Sequence, residues 1–178
     1  MKKIVVIGPE STGKSTLSQA LAQDLGVPWV PEYARAYLDG LGRPYREGDL
    51  KEIARGQLLS EDETTARASA SGAPCIILDT DLYVIKVWSE HRYGRCDPWI
   101  LQQIARRRYD LYLVTDIDLP WQADPQREYP EPRMREYFLR IYRDIASHAS
   151  VPWAPVTGDA RARVASAKAA LVKLRLGG

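Results

Sequence analysis

The sequence predicts a three-layer α/β fold, in which helices cover both faces of a five-stranded parallel sheet. First, short apolar runs alternate along the chain with longer stretches of helical periodicity, the order typical of strand–helix–strand units. Second, the first apolar run leads directly into a glycine-rich segment and then into an apolar stripe at helical spacing. In such sheets ligands bind at the carboxyl ends of the strands, so functional residues are expected where the apolar runs end.

Five apolar runs are interpreted as the strands, because each is short and bounded by polar or turn-forming residues. They cover residues 3–7, 27–30, 75–78, 111–114 and 151–156. The run at 75–78 is continuously apolar, which is typical of a strand that is buried on both faces.

The helices are predicted from apolar residues that recur every three or four positions. A first helix follows the glycine-rich segment, and a long one is predicted at about residues 47–70, where Leu50, Ile53 and Leu58 share one face. Further helices are predicted over residues 82–91, 98–108 and 133–148. A final helix carries an apolar stripe that consists of Ala160, Val164, Ala167, Leu171 and Leu174.

Residues 116–133 are rich in Asp, Pro and Arg and show no apolar periodicity. This composition indicates a loop longer than most connections, and long loops in compact domains are often active-site lids. No repeat or low-complexity linker interrupts the chain. We therefore expect one domain over residues 1–178, with residues 116–133 as its lid.

Composition and charge exclude several classes of partner. The net charge of +2 is too small to predict nucleic acid or an anionic membrane surface as the main partner. Cys75 and Cys96 are isolated, so no disulfide framework is expected and a reducing compartment fits. No apolar stretch approaches the length of a signal-peptide core or a membrane span. We expect a cytoplasmic protein, and the sequence carries no prediction of its oligomeric state.

The segment from Gly8 to Ser15 has the spacing G-x-x-x-x-G-K-[ST] of a phosphate-binding loop. Gly8 and Gly13 allow the backbone to curl so that successive N–H groups point at phosphate oxygens. The Lys14 ammonium can reach the β and γ phosphates, and the Ser15 hydroxyl can bind Mg²⁺. The sequence therefore predicts a P-loop NTPase fold that binds a nucleoside triphosphate and Mg²⁺, and it does not decide between ATP and GTP. The other predicted nucleotide-binding residues of this segment are Glu10, Ser11, Thr12 and Thr16.

Two aspartates follow the third predicted strand. Asp79 closes the apolar run, where a phosphate-loop protein places the carboxylate that holds Mg²⁺, directly or through water. Asp81 lies two residues further on and is predicted to bind the substrate. The alternative is that Asp81 caps the N-terminus of the following helix.

A third carboxylate, Glu32, follows the second predicted strand. A carboxylate at this edge can accept the proton of an attacking hydroxyl or orient that hydroxyl, as a kinase of a small alcohol requires. Glu32 and Arg35, like Tyr33 and Tyr37, share a helix face, so we predict that this segment binds the substrate. The alternative is a helix start at which Glu32 favours the helix dipole and the tyrosines pack in the core.

The lid segment contains Arg127 and ends at Arg133. Phosphoryl transfer spreads negative charge over the γ-phosphate oxygens, and a closing loop that brings in guanidinium groups stabilises that charge. Both arginines are therefore predicted to contact the nucleotide, and the alternative is that they are only solvated. Trp88 is interpreted as a core residue, and His91 has no partner at metal-ligand spacing.

Four segments, in this order, resemble the ribosylnicotinamide kinase domain of NadR-type proteins. They are residues 8–17, residues 32–37, Asp79-Thr80-Asp81 and the pattern Pro120-Trp121-x-Ala-Asp124-x-x-Arg127. The phosphate loop alone is shared by many families, whereas the combination of the other three segments is far more specific.

The resemblance implies a nucleotide-kinase-like core that uses ATP to phosphorylate the 5′-hydroxyl of nicotinamide riboside, giving nicotinamide mononucleotide. It also implies that Arg127 is a lid arginine on the phosphates and that Asp124 contacts the substrate. Two other functions stay open: a kinase of another nucleoside, and a regulatory module that hydrolyses nucleotide as a switch. Which of Glu32, Asp79 and Asp81 acts as base, metal ligand or ribose ligand also stays open.

Overall fold

The computed structural model describes residues 1–174, and within them five strands form one sheet. The strands are β1 (Lys2–Ile7), β2 (Trp29–Val30), β3 (Cys75–Asp79), β4 (Leu111–Thr115) and β5 (Trp153–Val156). All neighbouring strands pair in parallel, in the order β2-β3-β1-β4-β5. The predicted fold class, a parallel α/β sheet of the P-loop kinase type, is confirmed.

Seven helices accompany the strands in the described part of the chain. They are α1 (Lys14–Leu25), α2 (Tyr33–Leu41), α3 (Glu47–Ala70), α4 (Leu82–Tyr93), α5 (Pro98–Arg106), α6 (Pro132–His148) and α7 (Ala160–Lys173). Over residues 1–174, none of the helices has both the length and the apolar character that a membrane span requires.

The two faces of the sheet bury alternate residues of the same strands, as the period of two in a β-strand requires. On one face, Ile4 and Val6 of β1 pack against α1 and α7. On the other, Val5 and Ile7 pack against α3, α4 and α6. A further apolar cluster lies between α2, α3, α4 and α5 and includes Leu50 of α3. Helices therefore cover both faces of the sheet, as the sequence predicts.

The observed bounds differ from the predicted ones mainly where proline interrupts a strand. The second strand contains only Trp29 and Val30, because Pro28 and Pro31 flank it and proline has no N–H to donate. The long helix covers residues 47–70 as predicted. The final helix ends at Lys173, and our prediction of one domain over residues 1–178 stays a prediction.

The first and third strands end side by side, and this places the functional segments together. Val6 of β1 lies opposite Asp79 of β3 in the parallel register. Gly8 follows β1 directly and has a φ of +149°, and a Cβ atom there would lie 2.3 Å from the Thr115 hydroxyl oxygen. Only glycine therefore allows the loop to begin so close to the end of β4.

Candidate active site

The loop between β1 and α1 is curled by its own hydrogen bonds. Ser11 and Gly13 both have positive φ angles, of 55° and 74°. The Thr12 hydroxyl lies 2.7 Å from the Pro9 carbonyl oxygen and 2.7 Å from the Thr115 hydroxyl, so Thr12 is buried and holds the loop against β4. The predicted contact of Thr12 with nucleotide is therefore restricted to its backbone.

Lys14 begins α1, and its side chain reaches back across the loop. Its ammonium donates a hydrogen bond of 2.8 Å to the Pro9 carbonyl. A phosphate group held by the loop would offer the same ammonium a charged acceptor, which forms a stronger hydrogen bond than a carbonyl does. Ser15 and Thr16, the next two residues, line the same cavity as the loop.

Asp79 lies buried beneath this loop, at the end of β3. Burial raises its pKa from the ordinary value of 3.8 to about 6, and the negative charge of Glu32 contributes to the rise. The Ser15 hydroxyl and the positive charge of Lys14 lower the pKa of Asp79 and so offset part of this rise. Among the described residues, however, neither Asp79 carboxylate oxygen has a well-formed hydrogen bond. A buried carboxylate without a partner is costly, so the site fits a bound cation.

The donor set suits Mg²⁺ held against a nucleotide. Carboxylate and hydroxyl oxygens are ligands that Mg²⁺ accepts, and it commonly binds one or two protein oxygens together with phosphate oxygens and water. Residues 1–174 contain no cluster of three or more His, Cys, Asp or Glu side chains arranged to hold a metal by themselves. Asp79 and Ser15 thus fit a magnesium ion that the nucleotide phosphates would help to bind.

Asp81 lies in a different environment from Asp79, and its predicted substrate role stays a prediction. Thr80 between them has a φ of 72°, which turns the backbone so that the two side chains diverge. The Asp81 carboxylate accepts hydrogen bonds from the Tyr83 backbone N–H at 2.9 Å and from the Tyr112 hydroxyl at 2.8 Å. It caps α4, as the alternative interpretation predicts, and it lines a second cavity instead of the one at the phosphate loop.

The side chains of residues 32–37, which follow β2, point in two directions: some line the cavity and others pack against α3. Glu32 and Arg35 line the cavity at the phosphate loop. Tyr33 packs on α3, where a Cβ atom added to Gly56 would lie 2.1 Å from its ring. The Tyr37 hydroxyl donates to Asp49, also on α3, at 3.0 Å. Both tyrosines thus hold α2 against α3, as the alternative interpretation predicts, and their substrate contacts stay a prediction.

The cavity at the phosphate loop has a volume of about 180 Å³. Beyond the loop and Glu32 it extends along one face of α4, lined by Val84, Val87, Trp88 and His91. Phe138 and Tyr142 of α6 close its base. Trp88, which the sequence predicts as a core residue, lies in the cavity lining instead. These four residues are spaced at positions i, i+3, i+4 and i+7 and therefore share one helix face. Such a wall, apolar and aromatic, can hold a flat ring.

The lid segment closes the cavity from the other side. One Arg127 guanidinium nitrogen lies 3.2 Å from the Ser11 hydroxyl and donates to the Gln122 carbonyl at 2.5 Å. Asp124 forms an ion pair of 3.0 Å with Arg35 of α2. The lid segment therefore connects the phosphate loop to α2, and Arg127 lies at the loop.

The glutamate of the phosphate loop also contacts the lid. Glu10 accepts hydrogen bonds from the backbone N–H groups of Glu128 at 2.9 Å and Tyr129 at 3.2 Å. The Glu128 carboxylate accepts in turn from the Tyr45 hydroxyl at 3.0 Å, and that hydroxyl accepts from the Trp88 indole N–H at 2.9 Å. A continuous chain of hydrogen bonds thus joins the loop, the lid and the α4 wall.

The second predicted lid arginine is exposed, and its contact with the nucleotide stays a prediction. Arg133 is exposed at the start of α6 and makes no hydrogen bond or ion pair to any described residue. Arg135, two residues further on, donates to the Leu119 carbonyl at 3.0 Å and reaches the Ser11 carbonyl at 3.5 Å. Its pKa is lowered by burial, and its Nε has no hydrogen-bond partner among residues 1–174. The helix periodicity of residues 132–148 could have indicated that Arg135 faces inward.

Comparison with known proteins gives three findings. Residues 3–163 match the family described as AAA domain. The Trifunctional NAD biosynthesis/regulator protein NadR of Salmonella typhimurium is 25% identical over 160 residues, which are 88% of this chain and 38% of that protein. A crystal structure of NadR protein in complex with NR superposes with a TM-score of 0.70 and 24% identity, covering 97% of this chain and 50% of that one.

A thymidylate kinase from Ehrlichia chaffeensis has the same fold, with a TM-score of 0.63, 15% identity and coverage of 96% of this chain and 98% of that one. The predicted resemblance to NadR-type proteins is confirmed. The chain spans 38% of the length of the curated NadR relative.

Proposed function

The chain belongs to the AAA domain family, and on that premise we propose that it transfers the γ-phosphoryl group of ATP to the 5′-hydroxyl of nicotinamide riboside. The products would be nicotinamide mononucleotide and ADP. One observation carries this proposal: a single cavity joins the phosphate loop to Glu32 and then to the aromatic wall of α4. The resemblance to NadR supports nicotinamide riboside as the acceptor.

On the nucleotide side, the backbone N–H groups of the loop would bind the phosphates, and Lys14 would leave the Pro9 carbonyl to donate to them. Ser15 and Asp79 would hold Mg²⁺, which neutralises charge on the phosphate oxygens when it is bound. Arg127 would turn from the Ser11 hydroxyl towards the transferring phosphoryl group. The movement would be short, because the Arg127 guanidinium already contacts Ser11 of the phosphate loop.

On the acceptor side, we assign Glu32 to the attacking hydroxyl. Glu32 lines the open cavity, whereas Asp79 is buried beneath Ser15 and is assigned to the metal. The carboxylate of Glu32 would accept a hydrogen bond from the 5′-hydroxyl, orient its oxygen towards the γ-phosphate and take its proton as the new bond forms. Asp124 would contribute indirectly, by holding Arg35 at the rim of the cavity.

The aromatic wall would receive the base of the nucleoside. The pyridinium ring of nicotinamide riboside is flat and carries a positive charge. Such a ring is attracted to the face of an indole and to a nearby carboxylate, which Trp88 and Glu128 provide in the same cavity. The Tyr45 hydroxyl fixes both groups by its hydrogen bonds.

Arg127→Ala is expected to lower kcat by about 10²-fold or more, because a lid arginine acts on charge that develops in the transition state. The measurement is steady-state ADP production with saturating acceptor. Arg140→Ala is the matched control, since Arg140 is an exposed arginine of α6. A change in KM for ATP with kcat unchanged would mean that Arg127 binds only the ground state.

Glu32→Gln is expected to lower kcat by about 10²-fold, because the amide keeps the size of the side chain but cannot take a proton. ATP binding, measured by titration calorimetry, should change little, since Glu32 lies on the acceptor side of the loop. If the variant instead weakens only nucleoside binding, Glu32 orients the acceptor and another group is the base.

The proposed substrate is tested by a panel of nucleosides. The purified protein is given Mg·ATP with nicotinamide riboside, uridine, cytidine or deoxynucleosides, and kcat/KM is measured for each. The highest kcat/KM for nicotinamide riboside supports the proposal. A preference for another nucleoside would keep the mechanism and reject the substrate, and ADP release that ignores every acceptor would favour a nucleotide-dependent switch.

A further inference from the structure

We propose that Glu10 is a positioning residue, which anchors the lid to the phosphate loop and thereby places Arg127 over the transferring phosphoryl group. The proposal rests on the proposed kinase function. Glu10 is a variable position of the loop motif, and the sequence analysis predicted for it only a general contact with the nucleotide.

The geometry places the anchor directly beside the arginine. The Glu10 carboxylate accepts hydrogen bonds from the backbone N–H groups of Glu128 and Tyr129, the two residues that immediately follow Arg127. Ser11, the next residue of the loop, accepts from the Gln122 backbone N–H at 2.9 Å. Two consecutive residues of the phosphate loop therefore hold the lid on both sides of Arg127.

Other contacts of this part of the lid are with α2, besides those of Arg127 with Ser11 and of Glu128 with Tyr45. Gln126 donates to Asp39 of α2, and Asp124 pairs with Arg35. These contacts connect the lid to α2 but not to the loop. The Glu10 carboxylate supplies the link that ties the backbone just after Arg127 to the phosphate-binding segment.

Electrostatics argue against direct nucleotide binding as the role of Glu10. A carboxylate in a loop that binds phosphate repels the ligand, and burial raises the pKa of Glu10. Lys14 and the two lid N–H groups offset this effect of burial. The Glu10 carboxylate would repel the nucleotide phosphates, but it accepts two hydrogen bonds from the backbone of the lid. Its role is therefore to position the lid.

The first test is amide hydrogen exchange, followed residue by residue by NMR on the intact protein. In Glu10→Ala the protection of the Glu128 and Tyr129 amides is expected to fall at least about tenfold, because two bonds to a charged acceptor are lost. Glu10→Gln keeps an oxygen acceptor at the same reach and should retain most of the protection. Glu10→Asp keeps the charge but is shorter, and it should behave like the alanine variant.

The matched control is Glu131→Ala, which removes an exposed carboxylate at the end of the lid whose side chain makes no capping hydrogen bond. Its amide protection at residues 128 and 129 should equal that of the wild type. Unchanged exchange in Glu10→Asp and Glu10→Ala would overturn the proposal. So would an equal loss in Glu131→Ala, because removal of any carboxylate near the lid would then have the same effect.

The second test is turnover with Mg·ATP and nicotinamide riboside. Glu10→Ala is expected to lower kcat about tenfold or more with KM for ATP within about threefold of the wild type, and Glu10→Gln should restore kcat. A large rise in KM for ATP with kcat unchanged would instead make Glu10 a nucleotide-binding group. The exchange experiment needs no substrate. It therefore tests the contact between Glu10 and the lid even if the protein does not phosphorylate nicotinamide riboside.

Discussion

Lys14→Ala is expected to abolish measurable phosphoryl transfer, lowering kcat by about 10³-fold or more. The ammonium is the one side-chain charge that the loop motif itself supplies to the β and γ phosphates, and its bond to the Pro9 carbonyl shows that it already lies across the loop. The measurement is ADP and mononucleotide production under saturating Mg·ATP and acceptor.

The control for Lys14→Ala is Lys168→Ala, which removes a lysine of α7 that pairs with Asp24 away from the cavity. Circular dichroism should be unchanged in both variants, because neither lysine lies in the apolar core. Full turnover in a correctly folded Lys14→Ala protein would refute the role of the lysine.

Asp79→Asn is expected to have two opposite effects. It should lower kcat by about 10²-fold or more, because an amide is a poor ligand for Mg²⁺. It should also raise the free energy of unfolding of the ligand-free protein at neutral pH by about 1–3 kcal/mol, because it removes a buried charge that has no partner. Chemical denaturation across pH measures the second effect.

The pH dependence has a definite sign. The pKa of Asp79 is raised to about 6 in the folded protein from an ordinary value of 3.8, so the folded state binds the extra proton between these values. Asp79 therefore contributes a decrease in folding stability as pH rises from about 4 to 6, and this contribution is absent in Asp79→Asn. The pKa of Asp81 is also raised by burial, so the Asp79 contribution is the difference between the stability curves of the two proteins. If the stabilities of the two proteins differ equally at pH 4 and at pH 7.5, Asp79 does not titrate in this way.

The fold could be predicted because its signals are local. The continuous apolar run at residues 75–78 and the phosphate-loop spacing each specify a strand or a turn from neighbouring residues alone. For the same reason the order of segments around the cavity could be predicted. Gly8, Glu32 and Asp79 all lie at the carboxyl ends of strands that end at one edge of the sheet.

Alternatives stay open in the sequence where the direction of a side chain depends on distant parts of the chain. Only one residue separates Asp81 from Asp79, but the positive φ of Thr80 turns Asp81 towards Tyr112, a residue of another strand. Tyr33 and Tyr37 contact α3, and the residues next to them in the sequence do not decide between this packing and a substrate contact.

The cavity lining on α4 and the contact of Glu10 with the lid are not predictable from the sequence for the same reason. Trp88 and His91 line the cavity because α4 lies beside the phosphate loop, which the sequence spacing alone does not reveal. Glu10 meets Glu128 across 118 residues of sequence. The contacts between the long lid segment and the short phosphate loop depend on tertiary packing, so local sequence patterns do not predict them.

The most direct test of the central claim is to locate the transferred phosphate. The protein is incubated with Mg·ATP and nicotinamide riboside, and the product is identified by mass spectrometry and by phosphorus NMR coupling to the protons of the 5′ carbon. The account predicts nicotinamide mononucleotide, phosphorylated at the 5′ oxygen, in equal amount to the ADP released. ADP release at the same rate with or without the riboside, and no phosphorylated riboside, would contradict it.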